Sequence, residues 1–306
     1  MDRPEICIIL NPGSGRRDVG STPESIQAAF LVPVAVKLIK DGSEIEPQTK
    51  AAVAEGFKTI VAAGGDGTIC GVASALRGED VTMGILPLGT FNYFARSLDL
   101  PPELEAAAQV IVDGKVAPLR IATVNDRVFL NNASLGAYPA ILATREDIYK
   151  RWGRSQIAAY WAVIKTLLTP RAPMRLRITV PGKVREVRSP TVFVVNNAYQ
   201  LKEMAVEGED RIAAGELVVF VAPDTSRFEM IRLAIVIAMG RGLPDKTFEL
   251  LSGPYVLIES IGKPPRHRRT IARDGERERL NGPFHLRVVD GALRVLVPKT
   301  RGDSLR

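Results

Sequence analysis

The sequence predicts a protein of two domains, an α/β domain with a doubly wound parallel sheet followed by an all-β domain. The chain has 306 residues, more than the usual size of one domain. In its first third, short apolar runs end in glycine-containing turns and helical segments follow them, a pattern typical of doubly wound sheets. Beyond about Val116, short apolar or alternating segments succeed one another, and these indicate β-strands.

The first domain is predicted over residues 1–116, and residues 293–306 are a candidate for returning to it. Its predicted strands, each an apolar run of the length of a buried strand, are residues 5–10, 32–39, 58–63 and 82–86. The segments between and after them that are compatible with helices are residues 21–31, 46–55, 69–76, 91–96 and 102–112.

The second domain is predicted over residues 117–292. Its predicted strands are residues 117–124, 127–132, 174–180, 191–196, 216–221, 255–261 and 286–289. Two helical insertions, residues 156–168 and 227–239, interrupt them. Trp152, Tyr160 and Trp161 near the first insertion are compatible with a membrane headgroup boundary, but aromatic residues at helical spacing are more often core, and we favour that interpretation.

Composition and cysteine content indicate a cytoplasmic globular protein. The chain is 46% hydrophobic and 25% charged, and its cysteines, Cys7 and Cys70, have neither metal-ligand spacing nor a disulfide framework. The N-terminal apolar run at residues 6–10 is too short for the core of a signal peptide. The apolar segment at residues 230–239 is much shorter than the roughly 20 residues of a membrane span. Any membrane contact is therefore expected to be peripheral.

Positive charge is concentrated in two segments. Residues 150–188 contain ten basic residues and one acid, a net charge of +9 that exceeds the +7 of the whole chain. The segment KPPRHRRTIAR at residues 263–273 forms a second cluster. Such surfaces attract anionic lipid headgroups and nucleic acid alike, and an ordinary solvated basic face remains the structural alternative.

Three glycine-containing turns in the first domain indicate a nucleotide site. They are NPGSG at residues 11–15, GGDGT at 64–68 and PLGT at 87–90, and each follows a predicted strand. In parallel sheets, the carboxyl ends of the strands gather ligand sites, and glycine lets the backbone approach a phosphate closely. Asp66 would repel a triphosphate unless a cation mediates, which suggests Mg-dependent phosphoryl chemistry. A purely structural turn is the alternative for any one of these motifs.

A further candidate lies near the end of the second domain. Asp274-Gly275 between extended flanks is a strong hairpin signal, and a hairpin alone would account for it. Glu276, placed on a strand just past the turn, could also act as a general base.

Together these motifs resemble the diacylglycerol kinase catalytic-domain family, which includes bacterial soluble lipid kinases and the sphingosine and ceramide kinases. The resemblance is carried, in order along nearly the whole chain, by NPGSG at residues 11–15, GGDGT at 64–68, PLGTFNYFAR at 87–96 and Asp274-Gly275-Glu276. NAD kinases share the Gly-Gly-Asp-Gly turn and a similar two-domain plan, but they look less similar to this chain, because the PLGT-x-N-x-FAR stretch is the hallmark of the lipid kinases.

The resemblance implies a Rossmann-like ATP-binding domain followed by a β-sandwich domain, with the active site in the cleft between them. It implies ATP and Mg²⁺ as cofactors and Glu276 and Asp66 as catalytic residues. The residues that it places at the nucleotide are Asn11, Ser14, Gly64, Gly65, Asp66, Gly67, Thr68, Thr90 and Asn92.

The chain departs from the family pattern at several positions. Gly71 and Tyr93 stand where relatives usually have Glu and Asp, so two carboxylates are missing. Ala214 replaces the Asp that holds a structural Mg²⁺ in some bacterial relatives, which counts against that metal site. Residues 199–204 replace a glycine-rich run, and Ile39 or Lys40 replaces a frequent Thr.

From these observations we predict a cytoplasmic, peripherally membrane-associating lipid kinase. It would transfer the γ-phosphate of ATP to a lipid hydroxyl, with a diacylglycerol-like glycerolipid as the favoured substrate. The alternatives are a catalytically weak lipid- or nucleotide-binding relative, which Tyr93, Gly71 and Ala214 suggest, and an NAD kinase. Nucleic-acid binding is less favoured, because no recognised binding module accompanies the basic segments.

Overall fold

The computed structural model describes residues 4–14, 22–137, 139, 172–203, 206–225, 229, 232, 248–262 and 267–300. The chain forms two compact units, residues 1–121 with 289–306, and residues 122–288. The domain boundary near residue 116 stays a prediction beside this division. The helical insertion predicted at 156–168, together with Trp152, Tyr160 and Trp161, lies outside the described residues, as does all of 227–239 except residues 229 and 232.

The first unit is built on a parallel sheet. Its strands β1 (Ile6–Leu10), β2 (Val34–Leu38), β3 (Thr59–Gly64) and β4 (Thr82–Pro87) lie in the order β2-β1-β3-β4. All neighbours in this set pair in parallel. β4 is followed in the sheet by the C-terminal half of β16 (Phe284–Val297), which pairs with it in parallel at Arg294↔Thr82 and Val295↔Met83. The predicted α/β fold class with a parallel sheet is confirmed.

The helices of the first unit follow its strands in the chain. They are α1 (Pro23–Ala28), α2 (Ile45–Ala54), α3 (Asp66–Leu76), α4 (Tyr93–Ser97) and α5 (Leu104–Asp113). Apolar strand residues such as Ile8 and Val61 pack in one buried cluster with Ile26 of α1 and Ile111 of α5. The helix predicted at 69–76 begins three residues earlier, because Gly65 is its extended N-cap residue and Asp66 is already helical.

The described residues of the second unit form two antiparallel sheets. The first contains β7 (Asn132–Gly136), β10 (Thr191–Val195), β11 (Leu217–Val221), β12 (Glu249–Gly253), β14 (Arg268–Arg273) and β15 (Glu276–Asn281) in the order β12-β11-β10-β7-β14-β15. The second contains β8 (Met174–Val180), β9 (Lys183–Ser189), β13 (Tyr255–Ser260) and the N-terminal half of β16, in the order β16-β13-β8-β9.

One buried cluster joins these two sheets. It includes Leu135 and Val194 of the first sheet and Leu176 and Ile258 of the second. The second unit is therefore a β-sandwich, as expected. Two short helices, α6 (Ala198–Glu203) and α7 (Glu209–Ala213), accompany it, and their Leu201 and Ile212 cluster with Val195 and Phe220.

The segment predicted as one strand at 127–132 is divided in the structure. β5 (Lys115–Val124) pairs with a short β6 (Arg127–Phe129), and β7 begins separately at Asn132. The break at Leu130 and Asn131 has a local cause, since the backbone N–H groups there are bound by a side chain described below. Among the described residues, no helix has the length and apolar character needed to cross a membrane.

Candidate active site

The glycine-containing turns of the first unit meet at one edge of its parallel sheet. The backbone N–H of Asn11 donates to Ala63 O at 2.9 Å, and that of Leu88 donates to Gly64 O at 3.0 Å. The Asn11 side chain also crosses to α3, because its Nδ2 donates to Thr68 Oγ1 at 3.0 Å. The structure therefore brings the turns after β1, β3 and β4 together.

The backbones of Gly65 and Gly89, in the second and third turns, lie against each other. A Cβ placed on Gly89 would lie 2.5 Å from Gly65 Cα and 2.6 Å from Asn92 Oδ1. No side chain fits between backbones at that separation, so glycine at position 89 is required by space.

Asn92 closes the third turn in the left-handed conformation, with φ of 51°. Its Nδ2 donates to Pro87 O at 2.9 Å and to Gly89 O at 2.8 Å. Its Oδ1 is buried and accepts no hydrogen bond. A buried acceptor without a donor is costly, and such positions often mark a functional constraint.

Asp66 connects the second turn to the third. Its Oδ2 accepts from the backbone N–H of Tyr93 at 3.2 Å, and its Oδ1 accepts from that of Phe94 at 3.0 Å. These are the first residues of α4, whose N-terminal N–H groups have no partner within the helix. The carboxylate therefore holds the start of α4 against the start of α3, a role that the sequence did not predict.

The remaining residues at this edge fit a phosphate-bearing group. The N-cap residue of α3 is Gly65, which has no side chain to cap the helix, and the positive end of the helix dipole lies at the turns. Thr90 is exposed, and Ser14 ends a short 3₁₀ turn at Pro12–Ser14. Because Gly65 and Gly89 have no side chains, their touching backbones line this helix start, and such a backbone cradle suits a phosphate group.

In the second unit, Asp274 binds the loop between β6 and β7. Its carboxylate accepts from three consecutive backbone N–H groups, those of Leu130, Asn131 and Asn132, at 2.7, 2.8 and 3.0 Å. The N–H of Asp274 in turn donates to Asn132 O at 3.0 Å. These bonds explain why β6 and β7 are separate strands. In the sequence, the only sign of the bonds was the presence of an Asp in the turn at Asp274-Gly275.

Glu276 lies in the same hairpin. The turn at Asp274-Gly275 joins β14 to β15 with Arg273 opposite Glu276, which confirms the predicted hairpin. The Glu276 side chain is exposed. Glu276 belongs to the second unit and the glycine turns to the first.

Amide side chains cluster behind this hairpin. Asn197 Nδ2 donates to Asn131 Oδ1 at 2.6 Å, and Asn132 Nδ2 donates to Gln200 Oε1 at 3.0 Å. Asn196 Nδ2 donates to Leu130 O at 3.1 Å. The loop that donates to Asp274 is thus also held by these three amide side chains.

The described residues contain no group of three or more His, Cys, Asp or Glu side chains that could hold a metal ion. Ala214 is the C-cap residue of α7, and a carboxylate oxygen of the nearby Glu216 lies 3.9 Å from an Arg211 nitrogen.

The basic segment at residues 150–188 is partly neutralised where the structure describes it. Residues 150–171 lie outside the described part. Four basic side chains of the remainder lie within 4.0 Å of a carboxylate, in the pairs Arg177–Glu186 at 2.7 Å, Arg188–Asp224 at 2.8 Å, Arg185–Glu249 at 3.1 Å and Lys183–Glu249 at 3.9 Å. The sequence net charge therefore overstates the free positive charge on β8 and β9.

Comparison with known proteins identifies relatives of both units. The diacylglycerol kinase catalytic domain matches residues 5–124, and the YegS C-terminal NAD kinase beta sandwich-like domain matches residues 140–297. A probable lipid kinase YegS-like protein of Pseudomonas aeruginosa (strain UCBPP-PA14) is 35% identical over 157 residues, which are 50% of this chain and 51% of that protein. This chain thus spans about half the length of that relative.

Two further relatives match over more of the chain. Diacylglycerol kinase of Bacillus subtilis (strain 168) is 28% identical over 248 residues, 78% of this chain and 80% of that protein. A crystal structure of a diacylglycerol kinase from Bacillus anthracis str. Sterne aligns with a TM-score of 0.66 over 95% of this chain and 96% of that one. Its sequence identity is 20%, so this likeness concerns the fold. On the matches to both of its halves, the chain belongs to the diacylglycerol kinase catalytic-domain family.

Proposed function

We propose that this protein is an ATP-dependent lipid kinase that transfers the γ-phosphate to a lipid hydroxyl, with a diacylglycerol-like glycerolipid as substrate. The observation that carries this proposal is the approach of Gly65 and Gly89 beside the uncapped start of α3. Family membership and the names of the relatives support it. Phosphoryl transfer requires positioning and charge stabilisation more than covalent chemistry, so backbone cradles and one base are suitable equipment.

In this proposal, each candidate site residue of the first unit has a role at the nucleotide. The backbone from Gly64 through Gly67 to Thr68 surrounds the phosphates, with Asn11, Ser14, Thr90 and Asn92 around them. Asp66 positions the start of α4, and with it the turn that carries Thr90 and Asn92. Magnesium, when bound with ATP, supplies the positive charge that neutralises the phosphate oxygens.

Glu276 is the proposed general base. Its carboxylate would accept the proton of the lipid hydroxyl, and Asp274 would fix the backbone from which it projects. A general base typically contributes 10²- to 10⁴-fold to the rate. The substrate resides in a membrane, so the proposal includes peripheral contact with an anionic bilayer from the cytoplasmic side, to which the basic segments would contribute.

The test is transfer of radiolabelled γ-phosphate from Mg-ATP to mixed micelles that contain diacylglycerol, phosphatidylglycerol, ceramide and sphingosine. A labelled lipid identifies the substrate class, and Asp66→Ala serves as the inactive control. Glu276→Gln keeps the size of the side chain but cannot accept the proton. It should lower turnover by about 10²-fold or more and leave ATP binding nearly unchanged. A Gln variant with a normal rate would remove Glu276 from the mechanism.

A catalytically weak lipid- or nucleotide-binding protein is the second candidate. One observation favours it: both carboxylate oxygens of Asp66 accept backbone hydrogen bonds from α4. Asp66 is thus engaged in holding the fold, and Tyr93 stands where the family usually has a second carboxylate. Absence of labelled lipid, with ATP binding retained in calorimetry, would support this alternative. Offering NAD in place of lipid in the same assay tests the NAD kinase alternative.

A further inference from the structure

The third glycine turn carries two aromatic side chains to which the proposed function assigns no role. Phe91 and Tyr93 stack with ring centroids 5.5 Å apart and an angle of 2° between their planes. Phe91 is 58% exposed. Covering exposed apolar surface is favourable, so a rigidly placed phenyl ring in water is a favourable site for a flat apolar ligand.

The backbone fixes this pair relative to the glycine turns. Tyr93 N–H is bound to Asp66, the first residue of α3. Asn92 lies between the two aromatics in the left-handed conformation and is tied to Pro87 and Gly89 by its side chain. Phe91 is therefore two residues from Gly89, whose backbone contacts the turn after β3.

We propose that the Phe91–Tyr93 stack is the surface on which the nucleobase of the bound nucleotide lies, a subsite that rests on the proposed function. The exposed face of Phe91 offers a flat π-surface next to the phosphate cradle. Stacking of a base on an aromatic side chain needs no hydrogen bond and tolerates different bases. The site would thus discriminate little between bases, with GTP bound nearly as well as ATP.

The test measures binding by calorimetry for Mg-ATP, Mg-GTP and Mg-tripolyphosphate, which has the phosphates but no base. Phe91→Ala should weaken ATP and GTP by about 5- to 150-fold, the range for loss of one stacked base, and leave tripolyphosphate affinity unchanged. Phe91→Trp should restore nucleotide binding. Leu31→Ala, which removes another exposed apolar side chain, at 87% exposure, is the matched control and should change neither affinity.

Other results would overturn the inference in distinct ways. If wild-type protein binds none of the three ligands, the nucleotide site of the proposed function fails and the subsite with it. If wild type binds ATP and Phe91→Ala binds it equally well, the subsite alone is wrong. An equal loss for ATP and tripolyphosphate would show that Phe91 shapes the turn. Lost binding to phosphatidylglycerol vesicles with unchanged ATP affinity would assign Phe91 to the membrane.

Discussion

Replacing Gly89 by Ala should destabilise the protein, although Gly→Ala substitutions at permissive positions usually stabilise by about 0.4–1 kcal/mol. The new Cβ would lie 2.5 Å from Gly65 Cα, whereas ordinary contacts of a Cβ begin at 3.4 Å. The shortfall is nearly 1 Å, and Gly65 Cα is a backbone atom that cannot rotate away. Overpacking of this kind costs about 1–3 kcal/mol. We therefore expect the free energy of unfolding to fall by that amount.

Urea denaturation of the full chain, followed by circular dichroism, measures the change. Gly42→Ala is the matched control, because a Cβ at Gly42 has nothing within 4 Å and the residue does not need a positive φ. Its midpoint should stay the same or rise. Since the two turns must separate to admit the methyl group, Gly89→Ala should also weaken Mg-ATP binding, which Gly42→Ala should not. Equal midpoints for the two variants would refute the argument from space.

Three further predictions concern single side chains. Asp66→Asn should lower the free energy of unfolding by about 1.5–3 kcal/mol, since the amide presents a donor to one of two backbone N–H groups, and an unchanged urea midpoint would contradict this. Asp274→Asn should cost a similar amount for the same reason, whereas Asp126→Asn, which removes an exposed ion pair with Arg287 of 2.9 Å, should cost about 1 kcal/mol or less in the same titration. Burial raises the pKa of the Cys7 thiol to about 11 by disfavouring the thiolate, so at pH 8 roughly one thiol in 1,000 is ionised. Cys7 should then react far more slowly with a disulfide reagent in native protein than in guanidinium, and equal rates would disprove its burial.

Strands with an apolar signal could be predicted from the sequence, and strands without one could not. β1 and β3 are runs of apolar residues, and β8 alternates so regularly that its predicted bounds agree with the structure. β9 reads KVREVRS and is exposed over most of its length at the end of its sheet, so no hydrophobic period marks it. Its position comes from pairing with β8, which is tertiary information.

The candidate site shows the same division. The glycine turns could be found from their composition, because a turn that must approach another backbone closely requires glycine. The partners of Asp66 could not, since they lie 27 and 28 residues further along the chain and meet it only through the fold. Asp274 was predicted as a turn residue. Its hydrogen bond with Leu130 could not be predicted, because the two residues are 144 positions apart and meet only in the folded sheet.

The pairing of β16 with β4 has a consequence for how the chain is made. β4 ends at Pro87, but its partner residues Arg294 and Val295 follow the whole of the second unit. At about 5–20 residues per second, a ribosome needs roughly 10 to 40 seconds to reach them. During that interval one edge of β4 has no β16 to pair with, and an open edge is a template for association with other strands. A fragment that stops at residue 121 would keep that edge open permanently, so the first unit is expected to aggregate when it is produced without residues 289–297.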